Sequence, residues 1–194
     1  MFYVFPKAVA PDVCEQIVQD SKKNILEKAS VYNYDKTASR DDPKIRKTSI
    51  NFIKDKDNKV NELAWHFLRE ANKLQFNYNL SYFQVVQFAE YKDGGFYNWH
   101  QDDSRINNSS EMRKLSLTLV LSDPNTFEGG ELQFYNGEKP FQDIGEIKGE
   151  QVNKDIQAQG TVIVFDSMDW HRVTPVTKGI RHSVVCWTVG PNFK

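Results

Sequence analysis

Cysteine is scarce in this chain: there are two among 194 residues, Cys14 and Cys186, far apart and outside any Cys-x-x-Cys pair. That count excludes a disulfide framework, and two buried thiols are the expectation. A surplus of positive charge is lacking too. Lys+Arg 25 against Asp+Glu 26 gives a net charge of -1, so the basic excess on which nucleic-acid binders draw is missing and no nucleic-acid partner is expected. No apolar run reaches transmembrane length. The opening MFYVFPKAVAPD has no basic start followed by a long apolar stretch, so neither a signal peptide nor a membrane partner is expected. These absences point to a cytoplasmic protein in a reducing compartment. Internal repeats, low-complexity stretches and a dividing linker are also missing. With 39% hydrophobic and 13% aromatic residues, the chain can fill one core, and a single domain over 1–194 is expected.

What is present changes character near Leu80. Before it, helical spacing dominates. Pro11 and Asp12 open an amphipathic stretch carrying Val13, Ile17, Ile25 and Leu26, and residues 57–76 repeat the pattern around Leu63, Phe67, Leu68 and Ala71. Between the two lies the polar run VYNYDKTASRDDPK, read as a long loop, followed by a strand over 45–53. From 80 onward, short runs rich in Val, Phe, Leu, Thr and Tyr (81–91, 113–121, 131–135, 161–165, 171–176, 182–189) alternate with turn residues. That texture predicts an antiparallel sandwich or barrel, with the N-terminal helices packed on one outer face. The fold class is therefore mainly β with flanking helices: support over 1–79 and a β core over 80–194. The segment 136–160, polar and charged, is expected to be an extended hairpin or insertion.

Chemistry concentrates at His100-Gln101-Asp102, after the turn segment DGGFYNW. In extended chain, residues i and i+2 share a face, so an imidazole and a carboxylate converge there. His-x-acid alone is a weak signal. His171 follows the apolar run TVIVF and the turn DSMDW, and two histidines with one carboxylate on one face of a metal form the facial triad of non-haem iron(II) oxygenases. Ten residues on, Arg181 stands inside a strand-like run continuing HSVVCWTV. An arginine in a sheet needs an anion, because an unpaired buried charge is very costly, and its planar fork suits a carboxylate. A triad with a downstream arginine is the arrangement that holds 2-oxoglutarate.

The ordered motifs YKDGGFYNWHQD, RKLSLTLVLSDP, FEGGELQFY and GTVIVFDSMDWHRVTPVTKGIRHSVVCWTVG resemble the 2-oxoglutarate/iron(II) dioxygenase superfamily, and within it the prolyl 4-hydroxylase-like branch. The likeness covers about residues 80–190. It implies a double-stranded β-helix, or jelly roll of two sheets, with the site in its mouth. It implies oxidative decarboxylation of 2-oxoglutarate to succinate and carbon dioxide coupled to C–H hydroxylation, of the procollagen-proline 4-dioxygenase type. Iron(II), 2-oxoglutarate and dioxygen are the implied cofactors, with ascorbate as reductant and a peptide or protein as partner.

Carried over by position, His100, Asp102 and His171 match the iron ligands, and Arg181 matches the residue that pairs with the distal carboxylate. Tyr91 resembles a tyrosine that contacts 2-oxoglutarate, and Thr118 falls on the strand lining that pocket. Tyr97, Arg113 and Trp187 resemble positions at the substrate entrance. Other features have duller readings. His66 is expected to be a half-buried helix residue and His182 a structural one facing away from Arg181. Asp103 should point away from the metal, Asp166 and Asp169 should form the turn before His171, and FEGGELQFY should be a turn required by backbone geometry. Polar segments at 30–44 and 103–112 are expected to flank the mouth, which suits an extended peptide.

Alternatives use the same centre. A nucleic-acid demethylase of the alkylation-repair group carries a second arginine a few residues past the first, where this chain has Trp187. A halogenase replaces the carboxylate ligand with a small residue, so Asp102 favours hydroxylation. A hydroxylase of a free amino acid or another small molecule stays open. A non-enzymatic jelly-roll binding module would not need the complete set of ligands and Arg181.

Overall fold

The computed structural model describes residues 2–24, 26–32, 39–40, 42–55, 57–102, 110–135, 150–151 and 154–193. In chain order, strand β1 (Phe2–Phe5) leads into helix α1 (Pro11–Lys22), then β2 (Glu27–Lys28), β3 (Val31–Tyr32), β4 (Ser39–Arg40), β5 (Arg46–Lys47) and β6 (Ser49–Phe52). Helix α2 (Lys59–Ala71) and a π-helical turn over Asn72–Phe76 precede β7 (Tyr82–Phe83), β8 (Gln87–Lys92), β9 (Phe96–His100) and β10 (Glu111–Val120). The rest is β11 (Phe127–Gly129), β12 (Leu132–Phe134), β13 (Glu150–Gln151), β14 (Val162–Asp166), β15 (His171–Val173) and the long β16 (Val176–Pro191).

The helices start where the sequence places them. Pro11 sits in the first turn of α1, where its missing N–H costs nothing. Asn58 caps α2 by accepting from the Val60 N–H at 2.9 Å. The apolar stripe of α2, Ala64, Phe67, Leu68 and Ala71, is buried together with Cys14 and Ile17 of α1. No helix among the described residues is long and apolar enough to cross a membrane.

Two antiparallel sheets make the core. The larger runs β1-β14-β10-β16-β8-β6-β2, with β7 and β11 also paired to β16, and the smaller runs β13-β12-β15-β9-β5. Strand alternation divides the larger sheet's residues between two faces. Leu115, Leu117, Leu119, Val162, Val164, Val184, Cys186 and Phe88 meet the helices. Ala89, Tyr91, Ile163 and Phe165 pack instead with Leu132, Phe134, Val173 and Val176 in a second cluster between the sheets.

The structure departs from the sequence reading in four places. The expected strand over 45–53 is two strands in different sheets: Arg46–Lys47 pairs with Tyr97 and Phe96, whereas Ser49–Phe52 pairs with Glu90–Gln87. The chain crosses between sheets at Thr48. Phe2–Phe5, not foreseen as a strand, pairs with Phe165–Val162, because its aromatic residues fit an edge beside the apolar run TVIVF. The turn after β8 is confined to about Lys92–Gly95, and Phe96–Trp99, read as turn, is already strand. His66 is exposed rather than half-buried. Asp103, most of the 103–112 segment and most of 33–41 and 136–153 lie outside the described residues.

Candidate metal centre

His171 and His100 are direct cross-strand partners on β15 and β9. Their rings lie with centroids 4.1 Å apart. Asp102 follows two residues after His100, and its two carboxylate oxygens lie 3.6 Å from Nε2 of His100 and 3.6 Å from Nε2 of His171. One donor atom from each of the three lies within 4.8 Å of the others, the one such group among the described residues.

The tautomers follow from the second ring nitrogens. Nδ1 of His100 is 2.7 Å from the Asn98 carbonyl and Nδ1 of His171 is 2.9 Å from the Asp169 carbonyl. A carbonyl only accepts, so both Nδ1 atoms carry the proton and both Nε2 lone pairs face Asp102. Burial pulls the His171 pKa down to about 4, aided by the neighbouring His100. Burial opposes the charge of Asp102, but in acid, where His171 and His100 gain protons, their charge outweighs it and holds the carboxyl well below the ordinary carboxylate range. Two lone pairs and a carboxylate converging without a proton between them repel one another unless a cation sits among them. The donor set therefore fits a divalent metal held on one face.

Arg181 lies on β16 with 1% of its surface exposed. Its Nη1 donates to Ser183 Oγ at 3.2 Å, and its Cζ is 5.4 Å from the ring centre of Tyr91, its cross-strand partner on β8. No carboxylate pairs with it among the described residues. Burial lowers its pKa, with Tyr91 acting in the opposite sense. A guanidinium so enclosed calls for an anionic ligand. Room for the arginine side chain comes from Gly130, where a Cβ would lie 2.7 Å from Arg181 Cδ and 2.8 Å from Val176 Cγ2. The FEGG turn, expected to serve backbone geometry alone, thus also shapes the arginine's pocket. Thr118 is buried opposite Val185 and Ile163, on the face turned to the second sheet.

The three expected entrance residues are tied to the ligands. Arg113 lies over the Trp187 ring with Cζ 3.9 Å from its centre, donates from Nε to Gln84 Oε1 at 2.9 Å and from Nη1 to the Asp102 carbonyl at 3.3 Å. The Trp187 Nε1 is buried without a hydrogen-bond acceptor among the described residues. Tyr97 stacks on His100, centroids 3.4 Å apart and planes within 12°, and the Arg46 guanidinium lies 4.4 Å from the same ring centre. With its faces so covered, Tyr97 presents an edge and a hydroxyl. Burial pushes that hydroxyl's pKa up to about 12.

The remaining candidates have structural places. His182 faces the helices, its Nε2 3.1 Å from Glu90 and its Nδ1 3.3 Å from Ser122 Oγ. Asp166 shapes the turn before His171 by accepting from the Met168 N–H at 2.8 Å. Cys14 and Cys186 are both free and buried. Sequence reasoning missed the contact of Arg46 with Tyr97 and the spatial role of Gly130. Only Gly130 left a signal, as part of a glycine pair.

Comparison with known proteins agrees with this geometry. The family model of the 2OG-Fe(II) oxygenase superfamily matches residues 86–189. A PKHD-type hydroxylase of Acidovorax ebreus is 32% identical over 142 residues, covering 70% of this chain and 57% of that protein. One from Synechococcus is 34% identical over 99 residues, covering 50% and 39%. The chain thus spans only part of the length of these relatives. In fold it is similar to a viral collagen prolyl hydroxylase from Paramecium Bursaria Chlorella virus-1 (TM-score 0.68, 18% identity, 97% of this chain and 96% of that one). It is equally similar to a Pseudomonas putida prolyl-4-hydroxylase (TM-score 0.68, 21% identity, 96% and 91%). On its matched core and its convergent donor set, this chain belongs to the 2OG-Fe(II) oxygenase superfamily.

Proposed function

We propose that the protein hydroxylates proline within a peptide, consuming 2-oxoglutarate and dioxygen and releasing succinate and carbon dioxide. The observation that carries the oxygenase half is the pairing of two unmet demands. Two imidazole nitrogens and a carboxylate converge on one point, and a buried guanidinium faces the space between the sheets with no carboxylate partner among the described residues. Iron(II) with 2-oxoglutarate meets both. His100, Asp102 and His171 would hold the metal, and Arg181 would receive the distal carboxylate, with Tyr91 and Thr118 lining its path. When bound, the iron supplies dioxygen activation for an unactivated C–H bond. Ascorbate would keep it reduced.

For the substrate, support comes from relatives whose names specify PKHD-type or prolyl hydroxylation and from Trp187. A proline ring is rigid and apolar, so an aromatic wall orients it at low entropic cost. The Trp187 indole N–H is buried and has no acceptor among the described residues; a peptide carbonyl that reached it would complete its hydrogen bonding. Arg113 joins this wall to the metal site through the Asp102 carbonyl, so substrate side and ligand side are braced together.

The test is incubation with iron(II), ascorbate, 2-oxoglutarate and a proline-centred peptide library, read by mass spectrometry. Addition of one oxygen to proline, with matching succinate, is the expected result. Succinate release stimulated by free amino acids and by no peptide would replace the peptide reading with a small-molecule one.

A further inference from the structure

We propose that Arg46 is a positioning residue for the metal centre, acting through Tyr97 on the orientation of His100. The inference rests on the reading of His100 as a metal ligand. The two histidines are held differently. His171 is walled in by the core, with Phe165 edge-on at 4.6 Å and Phe134 at 6.0 Å. His100 stands nearer the surface, its side chain 13% exposed, and its only described ring contact besides His171 is Tyr97. The Asn98 carbonyl fixes its rotation in the ring plane, and the Tyr97 face fixes the tilt of that plane.

Arg46 completes the stack. An imidazole already covers one face of Tyr97 at 3.4 Å, so the guanidinium, 4.4 Å from the ring centre, takes the other. Among the described residues no carboxylate meets it, and its Nε is buried without an acceptor there. Among the described residues Gln87 holds it, its Oε1 accepting from Nη2 at 3.0 Å. Gln87 is buried on β8 of the larger sheet, whereas Arg46 and Tyr97 are paired on β5 and β9 of the smaller one. The side chain therefore pins both sheets at the ring that backs the metal ligand. A cation held over an aromatic face and anchored behind it resists sliding of that ring. Ring and ligand thus keep a fixed direction for the His100 Nε2 lone pair.

Cobalt(II) titration of the purified chain, followed by the visible ligand-field bands, tests this without reference to turnover. Wild type, Arg46→Ala, Arg46→Lys and Gln87→Ala are compared, with folding checked by circular dichroism. Arg46→Ala is expected to bind cobalt(II) about tenfold more weakly, with altered bands. Arg46→Lys should recover part of the affinity by restoring the cation, and Gln87→Ala should shift the bands in the same sense as Arg46→Ala. Wild-type affinity and bands in folded Arg46→Ala would overturn the proposal while leaving the metal site standing. If that variant does not fold, wild-type behaviour of both Arg46→Lys and Gln87→Ala overturns it equally. Failure of wild type to bind cobalt(II) would bring down the ligand reading and this proposal with it.

Discussion

The Cβ that Gly130 lacks would lie 2.7 Å from Cδ of Arg181, closer than such atoms approach in folded proteins. Gly130 also has φ +64°, a left-handed conformation that costs an L side chain about 1–2 kcal/mol. Gly130→Ala is thus expected to destabilise the fold by roughly 1–3 kcal/mol. The same change should displace the guanidinium and raise the KM for 2-oxoglutarate with iron(II) affinity little changed. Thermal unfolding and the two binding constants check this; an unaltered KM would mean that the arginine accommodates the methyl group.

Arg181→Ala should raise the same KM at least about tenfold, the effect of losing charge-assisted hydrogen bonds of about 1.5–3 kcal/mol. Arg181→Lys should recover only part of it, since a point charge does not reproduce the planar fork. Steady-state kinetics with 2-oxoglutarate varied separates the two outcomes.

Arg113 reaches both Trp187 and the Asp102 carbonyl, so the two entrance variants should differ. Trp187→Ala should slow peptide hydroxylation while leaving iron(II) and 2-oxoglutarate binding nearly intact. Arg113→Ala should also weaken iron(II) binding, because Asp102 loses a brace. Metal titration of both variants decides it: equal, wild-type affinities would confine Arg113 to the substrate side.

In the metal-free chain, His171 should titrate near pH 4, well below the ordinary imidazole value of 6.5. Between those two pH values the unfolded chain binds more protons at this position than the folded one. Stability of the metal-free chain should therefore be fully present above about 6.5 and fall as the pH drops toward 4. Imidazole NMR resonances followed from pH 7 to 4 give the midpoint. A midpoint near 6.5 would mean that the ring is not enclosed as described.

Glu90 behaves in the opposite sense. Burial opposes its charge, but Lys92 at 3.0 Å and His182 at 3.1 Å prevail and lower its pKa. Its contribution is present above the unfolded carboxylate range and is lost as the pH falls through the depressed folded value. Glu90→Gln should flatten the acid limb of the stability profile, measured by urea unfolding at several pH values.

The elements and ligands legible in the sequence are those that local rules dictate. The stripe of α2 and the alternation along β10 follow from side-chain periodicity alone. So does the convergence of His100 with Asp102, because i and i+2 share a face wherever the chain is extended. Even Arg181 announced itself, since a charge inside an apolar run demands a partner. Tertiary structure decided what depends on register between distant segments. The pairing of His171 with His100 closes a loop of 70 intervening residues, and nothing local encodes which residues of two strands face each other. The crossing at Thr48, which sends one apparent strand into two sheets, is settled by which edges are free to pair. The stack of Arg46 on Tyr97 on His100, and the space that Gly130 leaves for Arg181, exist only because packing brings remote segments into contact, and no periodicity in the sequence records such contacts.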